Sequence, residues 1–282
     1  MADVCITEFT DPTCPWAWSA EPFRRRLDWH YGEHLEWRVR VVGLSESSED
    51  NVEKGLTPEK LSSEHKKIAA THGMPIDTSV HERVAASVPA CRAIVATRLN
   101  SPDHARRLLR RLRVLNFSGP LLDEPETIAQ AATEAGLDPG ELRLWIEQPE
   151  VEAQMREDMA AARRPMPAAR VLDHKLANWS GGRRYTCPSY EITRLGDGVT
   201  ISVPGFQPFA AYDVVLANLV PGLDRTEPPE RVEQVLAWAE VPLASQEVAT
   251  VCCIDRNEAR EALGRVATEE HIGADGLWAL DG

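Results

Sequence analysis

Val4-Cys5-Ile6-Thr7-Glu8-Phe9-Thr10-Asp11-Pro12-Thr13-Cys14-Pro15-Trp16-Ala17-Trp18 decides how this chain is read. The apolar run over 4–9 predicts a strand, and the amphipathic stretch over 15–31 predicts a helix. The tight loop between them ends in Cys14, which places a thiol at the helix N-terminus. There the first backbone N–H groups lack partners and the helix dipole amounts to about half a positive charge. Both favour the thiolate, the nucleophilic form of cysteine. Pro15 suits the first helical position, which needs no N–H. A structural cysteine buried in a Cys-Pro turn is the plainer alternative.

Working outward, residues 35–42 alternate, with Leu35, Trp37, Val39 and Val41 on one face and Glu36, Arg38 and Arg40 on the other. That is a second strand, and it completes a β-α-β unit. From 57 to 164 the pattern is helical, opened by Thr57 as an N-cap before Pro58. Leucines at 108, 109, 112 and 115 form the stripe of one helix there, and Arg106, Arg107, Arg110, Arg111 and Arg113 read as its solvated face. Residues 165–184 carry Pro165, Pro167, Gly181 and Gly182 and read as a loop. A hairpin over 189–203, turning at Gly196-Asp197-Gly198, and a helix over 208–219 follow. Pro221-Gly222 opens a polar linker. Beyond it lie three short amphipathic helices and a terminal hairpin centred on 273–276.

Cys14-Pro15-Trp16, with Glu8 six residues ahead of the cysteine, resembles the active site of the DsbA-like branch of the thioredoxin superfamily. The resemblance implies an α/β chain: a thioredoxin fold over 1–56 and 165–222 with a helical domain inserted over 57–164. Residues 223–282 resemble a winged helix and imply a small α+β C-terminal module. Gly205-Phe206-Gln207-Pro208 is similar to the turn before the last helix in FrnE-like members. Thioredoxin folds carry a cis-proline facing the catalytic cysteine, and Pro188, in Thr186-Cys187-Pro188, matches it; Val203-Pro204 competes. The sequence departs from the branch at position 17, where alanine replaces the second cysteine of a dithiol pair. A mixed disulfide at Cys14 must then be resolved by another thiol.

The resemblance therefore implies a monothiol oxidoreductase with Cys14 as nucleophile and Pro188 holding the substrate strand. Cys187 or a low-molecular-weight thiol, glutathione or mycothiol, would resolve it, and no other cofactor is required. Cys14 and Cys187 could alternatively share a soft metal, although no metal is assigned. Glu8 is either a buried proton shuttle or an exposed strand residue. Pro15, Trp16, Ala17, Trp18 and Thr186 are the candidate substrate contacts, although such tryptophans more often just pack the first helix. The substrate would be a protein or peptide disulfide or a small thiol. The second reading is a thioredoxin-fold adaptor with vestigial redox activity. The isomerase and kappa-class glutathione transferase branch is a weaker third, because it places serine near Cys14.

The chain has 282 residues and a formal net charge of −13. That balance opposes nucleic-acid and anionic-membrane binding. Residues 224–282 hold 13 Asp and Glu against 5 Lys and Arg, so the winged-helix resemblance points to a protein partner or a homodimer rather than DNA. No apolar run reaches membrane-spanning length. The first residues lack a signal core, which predicts a cytoplasmic protein. Cys5, Cys91, Cys252 and Cys253 read as small buried side chains. The eight histidines form no ligating pattern, and no glycine loop suits a phosphate.

Overall fold

A computed structural model describes residues 2–280. The chain begins with β1 (Val4–Thr10), α1 (Pro15–Ser19), α2 (Glu21–Tyr31) and β2 (Leu35–Val41). The helix expected over 15–31 is thus two, parted at Ala20 with Pro22 in the first turn of the second. The insertion comprises α3 (Ser48–Glu53), α4 (Pro58–His72), α5 (Val88–Asn100), α6 (Pro102–Ser118), α7 (Pro125–Glu134), α8 (Pro139–Ile146) and α9 (Pro149–Ala162). Thr57 caps α4 by accepting from the Lys60 amide.

Residues 165–184 correct the expected loop. They form α10 (Pro167–Val171) and a ribbon of β3 (Leu176–Trp179) and β4 (Gly182–Tyr185). The core then resumes with β5 (Ser189–Arg194), β6 (Thr200–Val203) and α11 (Phe209–Leu219). Its sheet runs β2-β1-β5-β6; β1 is parallel to β2 and antiparallel to β5. Val4 and Ile6 pack with Leu27 and Tyr31 of α2 and with Tyr212 and Leu216 of α11. Phe9 belongs to a different cluster, with Cys14, Tyr185 and Cys187. Strand alternation puts Glu8 on the face opposite Phe9.

The C-terminal part is α+β: α12 (Val232–Ala239), β7 (Leu243–Ala244), α13 (Ser245–Cys252), α14 (Arg256–Leu263), β8 (Ala267–Ile272) and β9 (Asp275–Leu280), with sheet order β7-β9-β8. Cys253, expected in the interior, is exposed and ends α13 in the left-handed region at φ +58°. This module is docked, not pendant. Helix α13 packs on α2, and Ala244, Ile272 and Leu277 share a cluster with Trp18, Met74 and Phe117.

Helix α6 is covered on two sides, which corrects the expected solvated face at Arg110 and Arg113; Arg107 is exposed, and Arg106 and Arg111 are half-buried. Leu108, Leu109, Leu112 and Leu115 fill the insertion's own core. On another side Arg110 and Arg113 are buried. Arg113 pairs with Glu8 at 2.8 Å and with Glu21. Arg110 reaches Glu247 at 2.7 Å and Glu21 at 3.4 Å. Arg24 pairs with Glu21 at 2.8 Å, and Arg25 with Glu247 at 3.5 Å. Core, insertion and C-terminal module thus meet at one buried set of charges. Burial alone would raise the Glu21 carboxyl, but Arg24, Arg113, Arg110 and Arg25 together hold it well below its ordinary value.

Candidate active site

Cys14 occupies the N-cap of α1 in extended backbone conformation, φ −79° and ψ 115°. Its carbonyl accepts from the Trp18 amide at 3.1 Å, and its own amide donates to the Asp11 carbonyl at 3.2 Å. Across from it lies the turn before β5, where the Cys187–Pro188 peptide is cis. The Cys14 thiol donates to the Cys187 carbonyl at 3.2 Å. The two cysteines that stand 173 residues apart in sequence therefore meet. Both are unpaired, and only 7% and 6% of their surfaces are exposed.

The pair polarises itself. Cys14 is held below the ordinary cysteine value, chiefly by a hydrogen bond from the Cys187 thiol and further by the amides of Ala17 and Trp16; burial and the Asp11 carboxylate oppose this. Cys187 is pushed well above that value by burial, then by the sulfur of Cys14; Arg184 pulls weakly the other way. One thiol is prepared to ionise and its neighbour to stay protonated.

The opposing loop is tied at several points. Thr186 Oγ1 donates to the Lys175 carbonyl at 2.9 Å, and Ser189 Oγ donates to the Thr186 carbonyl at 2.7 Å and accepts from the Gly205 amide at 2.9 Å. Gly205 stands at φ +70°, and a Cβ there would come within 3.2 Å of the Lys175 carbonyl oxygen. Both disfavour a side chain there.

A groove of about 1180 Å³ opens onto Cys14. Pro15 and Trp16 line it, and Trp16 is 42% exposed, set edge-on against His72 and Phe206. Thr186 is half-buried beside the cysteines. Ala17 and Trp18 are not substrate contacts in this geometry: both are buried. Trp18 donates from Nε1 to the Pro75 carbonyl at 2.8 Å, stacks on Phe117 and carries Arg110 over its ring. Glu8 is buried too, which removes the exposed alternative, and its carboxylate pairs with Arg113 instead of facing the thiol.

Asp11 was missed. It is fully buried, accepting from Thr13 N and Oγ1 with Oδ1 and from the Leu44 amide with Oδ2. The Cys91 thiol lies 3.5 Å from Oδ2, and burial and then this carboxylate push Cys91 well above its ordinary value. An Asp-Pro pair ahead of Cys14 was the available signal. Among the described residues no group of three or more His, Cys, Asp or Glu is arranged to hold a metal, and no helix is long and apolar enough to cross a membrane.

Comparison with known proteins agrees with this fold. The ClpXP adapter protein SpxH of Halalkalibacterium halodurans is 26% identical over 276 residues, covering 95% of this chain and 84% of that protein. A putative protein disulfide isomerase from Nitrosomonas europaea superposes with a TM-score of 0.57 at 16% identity, over 77% of this chain and 97% of its own. The cytosolic disulfide reductase DsbM from Pseudomonas aeruginosa gives 0.54 at 17% identity, over 77% and 100%. At such identities the two structures speak for the fold alone. The family model for the DSBA-like thioredoxin domain matches residues 5–166, more than half of the chain, and the protein belongs to that family.

Proposed function

We propose that this protein is a monothiol thiol–disulfide oxidoreductase acting through Cys14 on protein or peptide disulfides or small thiols. The observation that carries the reading is the Cys14–Cys187 contact: a thiol prepared to ionise, facing the loop where this fold receives substrate. The Cys14 thiolate attacks a substrate disulfide; a Cys14–substrate bond forms, the substrate S–S bond breaks and one thiolate leaves. Thr186 and Pro188 hold the substrate strand, with Pro15 and Trp16 beside it.

Resolution follows one of two routes. In the first, Cys187 attacks Cys14: a Cys14–Cys187 bond forms, the Cys14–substrate S–S bond breaks and the Cys187 proton passes to the departing substrate sulfur; two external thiols then reduce the Cys14–Cys187 disulfide and leave as a disulfide. Burial is the main influence that keeps Cys187 protonated and the Cys14 sulfur the next; forming the mixed disulfide removes the second, which eases the step. In the second, a small thiol such as glutathione or mycothiol resolves Cys14 directly. Glu8 acts through Arg113 on the packing of the site. The unpaired state of all six cysteines fits a reducing compartment, and we place the reaction in the cytoplasm.

A second reading, a protein-binding adaptor, is favoured by the match to SpxH over 95% of this chain. Its contact surface would be the C-terminal module, whose helix–strand–helix–helix–hairpin order is winged-helix-like, through a partner protein or a second copy. The discriminating measurement is thiol–disulfide exchange by the wild type and Cys14→Ser, with and without added small thiol. Exchange confined to the wild type is expected. Exchange that persists in the variant, or none in either, rejects the enzyme reading in favour of the adaptor.

A further inference from the structure

We propose that Arg163 and Arg184 form a carboxylate-binding pair in the groove at Cys14, selecting thiols and disulfides that carry a carboxylate over uncharged ones. The inference rests on the exchange reading above and names the substrate class of that site. Both arginines line the groove that reaches Cys14. Arg163 caps the C-terminal end of α9, and Arg184 lies in β4, three residues before Cys187.

Among the described residues neither has a carboxylate ion-pair partner. Elsewhere in the same groove Arg83 pairs with Asp123 at 2.5 Å and with Glu124, and Lys54 pairs with Asp50 at 2.7 Å. Arg163 instead donates Nη1 to the Met159 carbonyl at 2.9 Å, and Arg184 donates Nη1 to the Tyr185 carbonyl at 2.8 Å. Each guanidinium has five N–H donors, so most of each fork is uncommitted. The Trp179 ring, 5.2 Å from Arg163, holds that side chain in place. The two cations also act on each other: burial and the charge of Arg184 lower the pKa of Arg163, and Glu46 offsets this only in part. A chain with 44 Asp and Glu against 31 Lys and Arg has left two like charges lining the groove that reaches its nucleophile.

An arriving carboxylate removes that repulsion and takes up the free donors, in the planar two-bond geometry that arginine favours. A thiol of the glutathione type carries carboxylates within reach of its sulfur. A sugar thiol of the mycothiol type carries none, so the pair decides between the two. The carboxylate could equally belong to an acidic residue beside a protein disulfide; the chemistry is the same.

The test measures the rate at which Cys14 of the full chain is converted by glutathione disulfide and by uncharged bis(2-hydroxyethyl) disulfide, each normalised to a free thiol. In each reaction one Cys14–sulfur bond forms, one S–S bond breaks and one thiolate leaves. Arg163→Gln with Arg184→Gln should slow the glutathione reaction about tenfold, equivalent to ~1.4 kcal/mol, and change the neutral one by less than about twofold. Arg164→Gln, outside the groove, should change neither. Equal slowing of both disulfides, or of neither, overturns the proposal. Where, in addition, a peptide disulfide bearing Glu outruns its Gln counterpart in the wild type and loses that advantage in the double variant, the carboxylate is assigned to a protein substrate as well. Should Cys14 exchange with nothing, the function above fails. Calorimetric binding of S-methylglutathione, which cannot exchange, then decides for the pair alone: affinity lost in the double variant supports it, and absent or unchanged binding overturns it.

Discussion

Replacing Arg113 by Met tests how the three parts of the chain are joined. The substitution keeps much of the volume and removes the charge. Glu21 would retain Arg24 at 2.8 Å and Arg110 at 3.4 Å. Glu8 would retain none, since Arg113 is its ion-pair partner among the described residues. Breaking a buried pair from one side costs about 3–5 kcal/mol, because the other charge stays buried and uncompensated. An unfolding entropy of about 2.1 cal/mol/K per residue then places the fall in melting temperature at roughly 5–8 °C. Glu8→Gln in that background should restore part of the loss, although Glu8→Gln alone should destabilise. Urea midpoints of the single and double variants would show both changes. A variant within about 0.5 kcal/mol of wild type, the range of an ordinary surface substitution, refutes the reasoning; so does a further loss on adding Glu8→Gln.

Cys187→Ala should raise the apparent pKa of Cys14, because the hydrogen bond from Cys187 is the chief influence lowering it; the pH profile of iodoacetamide alkylation would move to higher pH, and Cys187→Ser, which keeps a donor, should move it less. The stabilisation that ionised Cys14 contributes is complete above the unfolded thiol pKa and is lost as pH falls through the lowered folded one, so Cys187→Ala should flatten that part of the stability curve. Ala17→Cys should supply the missing second thiol of a dithiol site; reduction of a protein disulfide should then give a Cys14-linked intramolecular disulfide by peptide mapping, at about 1–3 kcal/mol of overpacking because Ala17 is buried. Deleting residues 221–282 should leave Arg25 and Arg110 without Glu247 and uncover Trp18 and Phe117; the truncated protein should aggregate or melt earlier, and an unchanged melt would show that the module is dispensable to folding.

What the sequence disclosed was local. The strand, loop and helix around Cys14 are written in adjacent residues, and Cys187-Pro188 announces itself by its place before a hairpin. The arginines of α6 did not, because helical periodicity registers one leucine stripe and is silent about a second covered face. The partners of Arg110 and Arg113 lie 89 to 137 residues away. Between the two readings the sequence offered for Trp18, substrate contact or packing, burial favours packing, and its neighbours come in part from α6 and the C-terminal module. The β3–β4 ribbon escaped because its strands are four residues long and carry Gly182, Arg183 and Arg184, a composition that favours a loop. Arg163 and Arg184 were invisible as a pair, since the segment between them was read as unstructured.

The joint between the three parts is ionic as well as apolar, and the physics of buried charge gives the ionic part a meaning. Such pairs add little stability over a hydrophobic isostere, yet each member left alone is costly. Glu8 and Glu21 from the core, Arg110 and Arg113 from the insertion and Glu247 from the C-terminal module are all compensated only when the three pieces occupy this one arrangement. A shifted docking would retain much of the greasy contact but strand at least one charge. Trp18 lies in the middle of that joint, four residues beyond Cys14 and under Arg110. The helix that carries the nucleophile is thus registered against the C-terminal module by charge, which is why changes at Glu247 or Arg110, far from the groove, should be read first for their effect on the position of Cys14.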